Sequence, residues 1–204
     1  MKLTKAIWNK YSSYNERIRR ELRHTRHSNL PERPKVIAWD LDGTLIDNGC
    51  ETASARALES LWVAGFTHVI TTSSPADYAL EKVMSREWHH FIDRVHSWTL
   101  SGEGKAYRSI AEAMRLRHDE YLTNFIVVGD SVGDVPVDLE SIFVLSDNPE
   151  RVAGLIKELD KAGNFLEGYF SRLSGFKQVA YSRLHDKKKV PVLADEISEL
   201  CTYR

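Results

Sequence analysis

The chain has 204 residues, 42% of them hydrophobic, and a formal net charge of −1. That is enough to bury one substantial core, as a single domain with an appendage, and the near-zero charge gives no global signal for nucleic acid or a membrane surface. The two unclustered cysteines, Cys50 and Cys201, exclude a disulfide framework or a cysteine zinc site. No apolar run approaches spanning length and the N-terminus lacks a signal-peptide core, so a soluble, cytoplasmic protein is expected.

Charge is unevenly spread. Up to Lys35 ten basic residues face only Glu16, Glu21 and Glu32, a formal charge of +7. Within this arm Ile7, Tyr11, Tyr14, Ile18 and Leu22 recur at three- and four-residue steps, which predicts a helix over residues 3–27 with basic residues on its other face. A solvated or docked helix is the preferred reading. Dimerisation through the Tyr and Ile stripe is the next, and nucleic-acid binding is not favoured. Ser28 to Pro34, with two prolines, reads as a linker.

Val36 to Trp39 is an apolar run that reads as a buried strand. Asp40-Leu41-Asp42-Gly43-Thr44-Leu45 follows it directly. Ligands of open parallel sheets bind beyond the carboxyl ends of the strands. Two carboxylates there can divide the work between nucleophile and general acid and base; an Asp-Gly turn between strands is the plainer alternative. A helix over residues 52–64 ends before Gly65. Val69 to Thr71 form a second strand, leading into Thr72-Ser73-Ser74-Pro75. Hydroxyls and free N–H groups at a helix start suit a phosphate, or serve as an ordinary cap. Pro75 opens a helix running to about Trp88.

Val95 to Trp98 read as a third strand and Gly104 to about Arg117 as a helix. Lys105 at that helix start opposes the helix dipole, which makes sense where the ammonium points at an anion. Phe125 to Val128 is another buried strand, followed by Gly129-Asp130-Ser131-Val132-Gly133-Asp134. Carboxylates clustered beyond a strand end repel one another, and a hard divalent cation relieves that repulsion; an Asx turn with a helix cap is the alternative. Ile142 to Leu145 form a strand and Arg151 to Ala162 a helix. Asn164 to Gly175 carries an apolar stripe at helical spacing, Lys187-Lys188-Lys189 reads as a solvated turn, and Val190 to Leu193 as a final edge strand. Strands alternating with helices predict an α/β fold, a Rossmann-like three-layer sandwich around a central parallel sheet.

The four polar segments together resemble the haloacid dehalogenase superfamily in its phosphatase branch. The match spans residues 35–148, in the order that superfamily requires. Its Asp-x-Asp-Gly-Thr motif stands as Asp40 to Thr44, its strand-end Thr or Ser as Thr72, its lysine as Lys105, and its Gly-Asp-x-x-x-Asp as Gly129 to Asp134. The resemblance implies that Asp40 becomes an aspartyl phosphate and that Asp42 acts as general acid and base. It implies that Thr72, Ser73, Lys105 and Gly43 serve the phosphoryl group. Mg²⁺ is implied on Asp40, the Asp42 backbone carbonyl and Asp130, with Asp134 close by. Relatives that cleave carbon–halogen or carbon–phosphorus bonds generally lack an Asp at the position of Asp42, which favours a phosphatase here.

Neither Asp47 to Thr67 nor Pro75 to Glu103 has room for a separate cap domain, so an open site is expected. The implied organisation is a basic helix and linker over 1–34, a catalytic core over 35–148 and a helical and edge-strand extension over 149–204. The expected partner is a phosphorylated substrate of unspecified size. Enzymes acting on nucleic-acid phosphate ends and a non-catalytic scaffold of the same fold are the competing readings.

Overall fold

The computed structural model describes residues 34–47, 49, 51–97, 105–171, 175–182 and 189–195. The basic arm, most of the linker, both cysteines and the Lys187-Lys188 pair lie outside them.

Apolar β-branched runs build the centre. Strands β1 (Val36–Asp40), β2 (Thr67–Thr72), β3 (Ile92–Ser97), β4 (Phe125–Gly129), β5 (Ile142–Leu145), β6 (Lys177–Ser182) and β7 (Lys189–Ala194) form one sheet in the order β3-β2-β1-β4-β5-β7-β6. All neighbours pair parallel except β6 and β7. Five helices cross between or after them: α1 (Glu51–Val63), α2 (Ala76–Met84), α3 (Tyr107–Ala113), the single turn α4 (Tyr121–Asn124) and α5 (Pro149–Lys161), with a short α6 (Phe165–Phe170) beyond.

The side-chain period of two splits β1 between two cores. Ile37 and Trp39 face one, with Leu58, Leu61, Val83, Val152 and Ile156 of α1, α2 and α5. Val36 and Ala38 face the other, with Tyr107 and Ile110 of α3 and Tyr121 of α4. The result is the three-layer α/β sandwich with a Rossmann-like core that alternation of strands and helices predicts. Val36 to Trp39 are wholly buried, as a central parallel strand requires.

Trp39 carries the polar price of this burial. Its indole Nε1–H donates to Nδ1 of His68 at 3.0 Å. The His68 Nε2–H donates to the carbonyl of Leu58 at 3.1 Å, so the ring is the neutral tautomer protonated on Nε2. This relay ties β1, β2 and α1 together one residue before Asp40.

Several elements depart from the sequence reading. The helix expected over 104–117 is described only from Tyr107 to Ala113. It stops because Arg115 adopts φ 64° and Leu116 N–H reaches back to Ala111 O, a left-handed helix end normally marked by glycine. The helix from Pro75 ends at Met84, with a separate 3-10 turn over Glu87–Phe91. The stripe from 164 to 175 gives only the six residues of α6. Val190 to Leu193 do not form an edge: β7 lies between β5 and β6, and antiparallel β6 takes the edge. Ladder bonds to a second strand set that position, and no local pattern records them.

Replacing His68 by Phe keeps the ring but strands the buried Trp39 N–H. Chemical denaturation is expected to show a loss of about 1–3 kcal/mol, the cost of one unsatisfied buried donor.

Candidate active site

From β1 the chain moves outward to β2 and β3, then returns to β4 on the opposite side of β1. The crevice between the carboxyl ends of β1 and β4 is therefore the topological switch point, where open α/β sheets bind ligands. Asp40 ends β1, in register with Thr71 of β2, and Asp130 directly follows β4. Thr72 ends β2. Every motif but the lysine thus reaches the site on a strand end. Lys105 arrives instead two residues ahead of α3.

Asp40, Asp42, Thr72, Ser73, Ser74, Pro75, Lys105, Asp130, Ser131, Gly133 and Asp134 line one open pocket of about 560 Å³. It gathers every candidate residue except Gly43. That glycine has φ +84°, and a Cβ there would stand 2.4 Å from Asp130 Oδ2. It lets the turn pass close to Asp130. Gly129 does the same for Asp134, whose Oδ2 a Cβ would meet at 2.4 Å.

The Lys105 ammonium bonds to both Asp40 Oδ1 and Asp134 Oδ1. The lysine and Asp134 side chains are each only 5% exposed. Asp134 is fixed further: its Oδ2 accepts from Ser131 N–H at 3.2 Å and Ser131 Oγ at 3.0 Å, and its carbonyl accepts from the Tyr107 hydroxyl at 2.9 Å. Thr44 Oγ1 lies 3.4 Å from Asp130 Oδ1.

Asp42 belongs to a different group. Its Oδ2 accepts from Ser74 Oγ at 2.7 Å and from Thr72 Oγ1 at 3.4 Å. Its Oδ1 stands 3.4 Å from the Tyr78 hydroxyl. Its carboxylate is thus held by the β2–α2 turn, apart from the lysine. Ser131, Tyr78 and Tyr107 are hydrogen-bonding neighbours of Asp42 and Asp134 that sequence reading did not single out. Tyr78 alone carried a local signal, as a first-turn residue of the helix opened by Pro75.

Oxygen atoms of Asp40, Asp130 and Asp134 lie within 4.8 Å of one another. Among the described residues lining the pocket, one ammonium faces these three carboxylates. Burial is the largest influence on Asp40 and raises it; Lys105 opposes this, but Asp134 and Asp130 add to it, and the carboxyl is pushed up from 3.8 to about 6. Burial and the Asp134 charge also raise Asp130. Burial alone would lower Lys105, yet Asp134 and Asp40 outweigh it and hold the amine charged. Among the described residues the site is short of positive charge. An all-oxygen donor set with that deficit fits a hard divalent cation such as Mg²⁺.

Fold and site together define a class: an α/β protein with a Rossmann-like core and an acidic, lysine-bridged pocket at its switch point. Among the described residues one helix fills the interval from Asp47 to Thr67, and α2, a 3-10 turn and β3 fill the interval after Pro75. No helix there is long and apolar enough to cross a membrane. No protein-family model matches the chain, and no curated protein matches it. A similar solved structure is the NMR structure of the core domain of "a putative phosphoglycolate phosphatase" from Streptococcus pneumoniae TIGR4. It is 19% identical, with a TM-score of 0.41 over 58% of this chain and 85% of that one.

Because Asp40 titrates higher folded than unfolded, its contribution is full below pH 3.8 and is lost as pH rises through about 6. At neutral pH its ionised form therefore costs the metal-free protein stability. Asp40→Asn is expected to raise metal-free stability at pH 7 by about 1–3 kcal/mol, with the gain fading toward pH 4. Urea melts across that range measure it.

Proposed function

We propose that the protein is a Mg²⁺-dependent phosphomonoester hydrolase working through an aspartyl phosphate on Asp40. The reading is carried by the meeting, in one open pocket, of a lysine-bridged carboxylate at the end of β1 and a second, separately held carboxylate two residues on. Enzymes accelerate phosphate-monoester hydrolysis by up to ~10²¹. General acid–base catalysis supplies about 10²–10⁴ of that, so positioning and charge stabilisation must supply most of the rest.

In the first half-reaction an Asp40 oxygen bonds to phosphorus. The bond from phosphorus to the leaving oxygen breaks, its electron pair stays on that oxygen, and the Asp42 carboxyl gives it a proton. In the second, ionised Asp42 takes a proton from water as the water oxygen attacks phosphorus. The bond from phosphorus to the Asp40 oxygen breaks, its electron pair returns to the Asp40 carboxylate, and inorganic phosphate leaves. Lys105 holds Asp40 in one orientation and offsets charge on the transferring group. Thr72 and Ser73, with N–H groups of their turn, receive phosphoryl oxygens. Asp40, Asp130 and Asp134, with the Asp42 carbonyl, would hold the metal ion. When bound, it supplies the charge neutralisation that a phosphoryl dianion needs beside three carboxylates. The open pocket admits a phosphate carried on a large group.

Wild-type protein with Mg²⁺ is expected to release phosphate from p-nitrophenyl phosphate or another ester in a screen of sugar, nucleotide, peptide and oligonucleotide phosphates. Folded Asp40→Asn is expected to release none. Turnover that survives thorough chelation would count against the reading.

A scaffold of the same fold has no need of the carboxylate cluster. Mg²⁺ with beryllofluoride is therefore expected to raise the melting temperature of the wild type, since a ligand at 100 times its Kd adds ~2.7 kcal/mol to the native state. Asp130→Asn is expected to shrink that shift. A wild type with neither a shift nor turnover would be a scaffold.

A further inference from the structure

The hydroxyls on Asp42 come from one short stretch of chain. Ser74 donates to Oδ2 at 2.7 Å, with Thr72 3.4 Å from the same oxygen, while Tyr78 stands over Oδ1 at 3.4 Å. Each oxygen of the carboxylate thus has its own partner. Ser74 is itself fixed at both ends of its peptide. Its N–H donates to Thr72 Oγ1 at 3.0 Å, and its carbonyl accepts from Ser97 Oγ of β3. Its side chain caps nothing: Pro75 is the N-cap of α2, with no side-chain capping bond.

Tyr78 is 38% exposed, an unusual position for a large ring. It is nevertheless braced. Lys82, one turn further along α2, places its ammonium 5.2 Å from the ring centroid. The same ammonium lies 4.0 Å from Asp47, in the loop that follows the Asp40–Thr44 motif. A chain of contacts therefore runs from that loop through Lys82 and Tyr78 back to Asp42.

We propose that Ser74 and Tyr78 are positioning residues that clamp the two oxygens of Asp42 and set the direction of its proton toward the leaving group. The proposal rests on the hydrolase reading above. Asp42 stands on a turn with one isolated bridge to Ile46, unlike Asp40 at the end of a strand paired on both sides. Proton transfer needs a heavy-atom separation of about 2.6–3.2 Å, and small misplacement of a catalytic group is costly. With Oδ2 held by Ser74 at 2.7 Å, the longer 3.4 Å contact of Tyr78 steers Oδ1, the oxygen left to carry the proton to the leaving group.

The consequence is a leaving-group signature. An alkoxide needs a proton to depart, whereas p-nitrophenolate departs without one near neutral pH. The test compares kcat/KM, which covers steps through leaving-group departure, for p-nitrophenyl phosphate and a simple alkyl phosphate. Ser74→Ala and Tyr78→Phe are expected to lower the alkyl value by ~10-fold or more and the aryl value by less than ~3-fold. Ser74→Thr, which keeps a hydroxyl, is expected to restore the ratio. Thermal melts identify any variant that fails to fold, and Tyr78→Phe retains the ring over Lys82. An unchanged alkyl-to-aryl ratio in active, folded variants, or an equal fall for both esters, would overturn the clamp alone. A wild type that turns over neither ester would overturn the hydrolase reading and the clamp with it.

Discussion

Of three carboxylates crowded at the mouth of one crevice, two are bridged by a single buried ammonium. Lys105 bonds to Asp40 and Asp134 at once, and without it these two buried carboxylates would be like charges removed from water. Breaking a buried pair by removing one partner leaves an uncompensated charge, which costs more than the pair's net worth. The lysine balances only part of the charge, so Asp40 stays far above the usual carboxylate range. That residual deficit is the physical basis of the proposed metal and phosphoryl chemistry.

Such crowding needs backbone that can approach closely. Gly43 and Gly129 supply it, since a methyl group at either would collide with Asp130 or Asp134. It also needs a rigid base. Strand β1 is buried on both faces, and the Trp39–His68–Leu58 relay fixes it to β2 and α1 just before Asp40 emerges. The nucleophile candidate therefore stands at the end of a strand fixed from both sides. Asp42 stands on the turn closed by Gly43 N–H to Ile46 O and by Leu45 N–H to Leu41 O, and its side chain is oriented from outside that turn.

The C-terminal segment completes the sheet on the far side of the site. Strand β7 extends it beyond β5, and Asp195 just past β7 bonds to Ser146 past β5 and to Arg151 of α5. Arg151 also donates to Gly175 O and lies over Phe176. These contacts anchor the edge hairpin to the core two strands away from Asp40.

Much of this was legible from sequence because it is local. The apolar runs before Asp40 and Asp130, and the spacing of carboxylates after them, place two strand ends and their acids without reference to anything distant. The α/β alternation follows from the same periodicity. What sequence left open depends on partners far along the chain. The end of α3 at Arg115 uses a left-handed residue that is not glycine, so it leaves no mark. The edge position belongs to β6 rather than β7 because pairing, not composition, decides it. Lys105 meeting Asp134 and Tyr78 meeting Asp42 are likewise contacts between separate elements. The chain by itself determined which residues have the chemistry; only tertiary structure decided which of them share a charge and which share a hydrogen bond, because electrostatic and hydrogen-bond energies depend on distance in space, and sequence separation does not measure it.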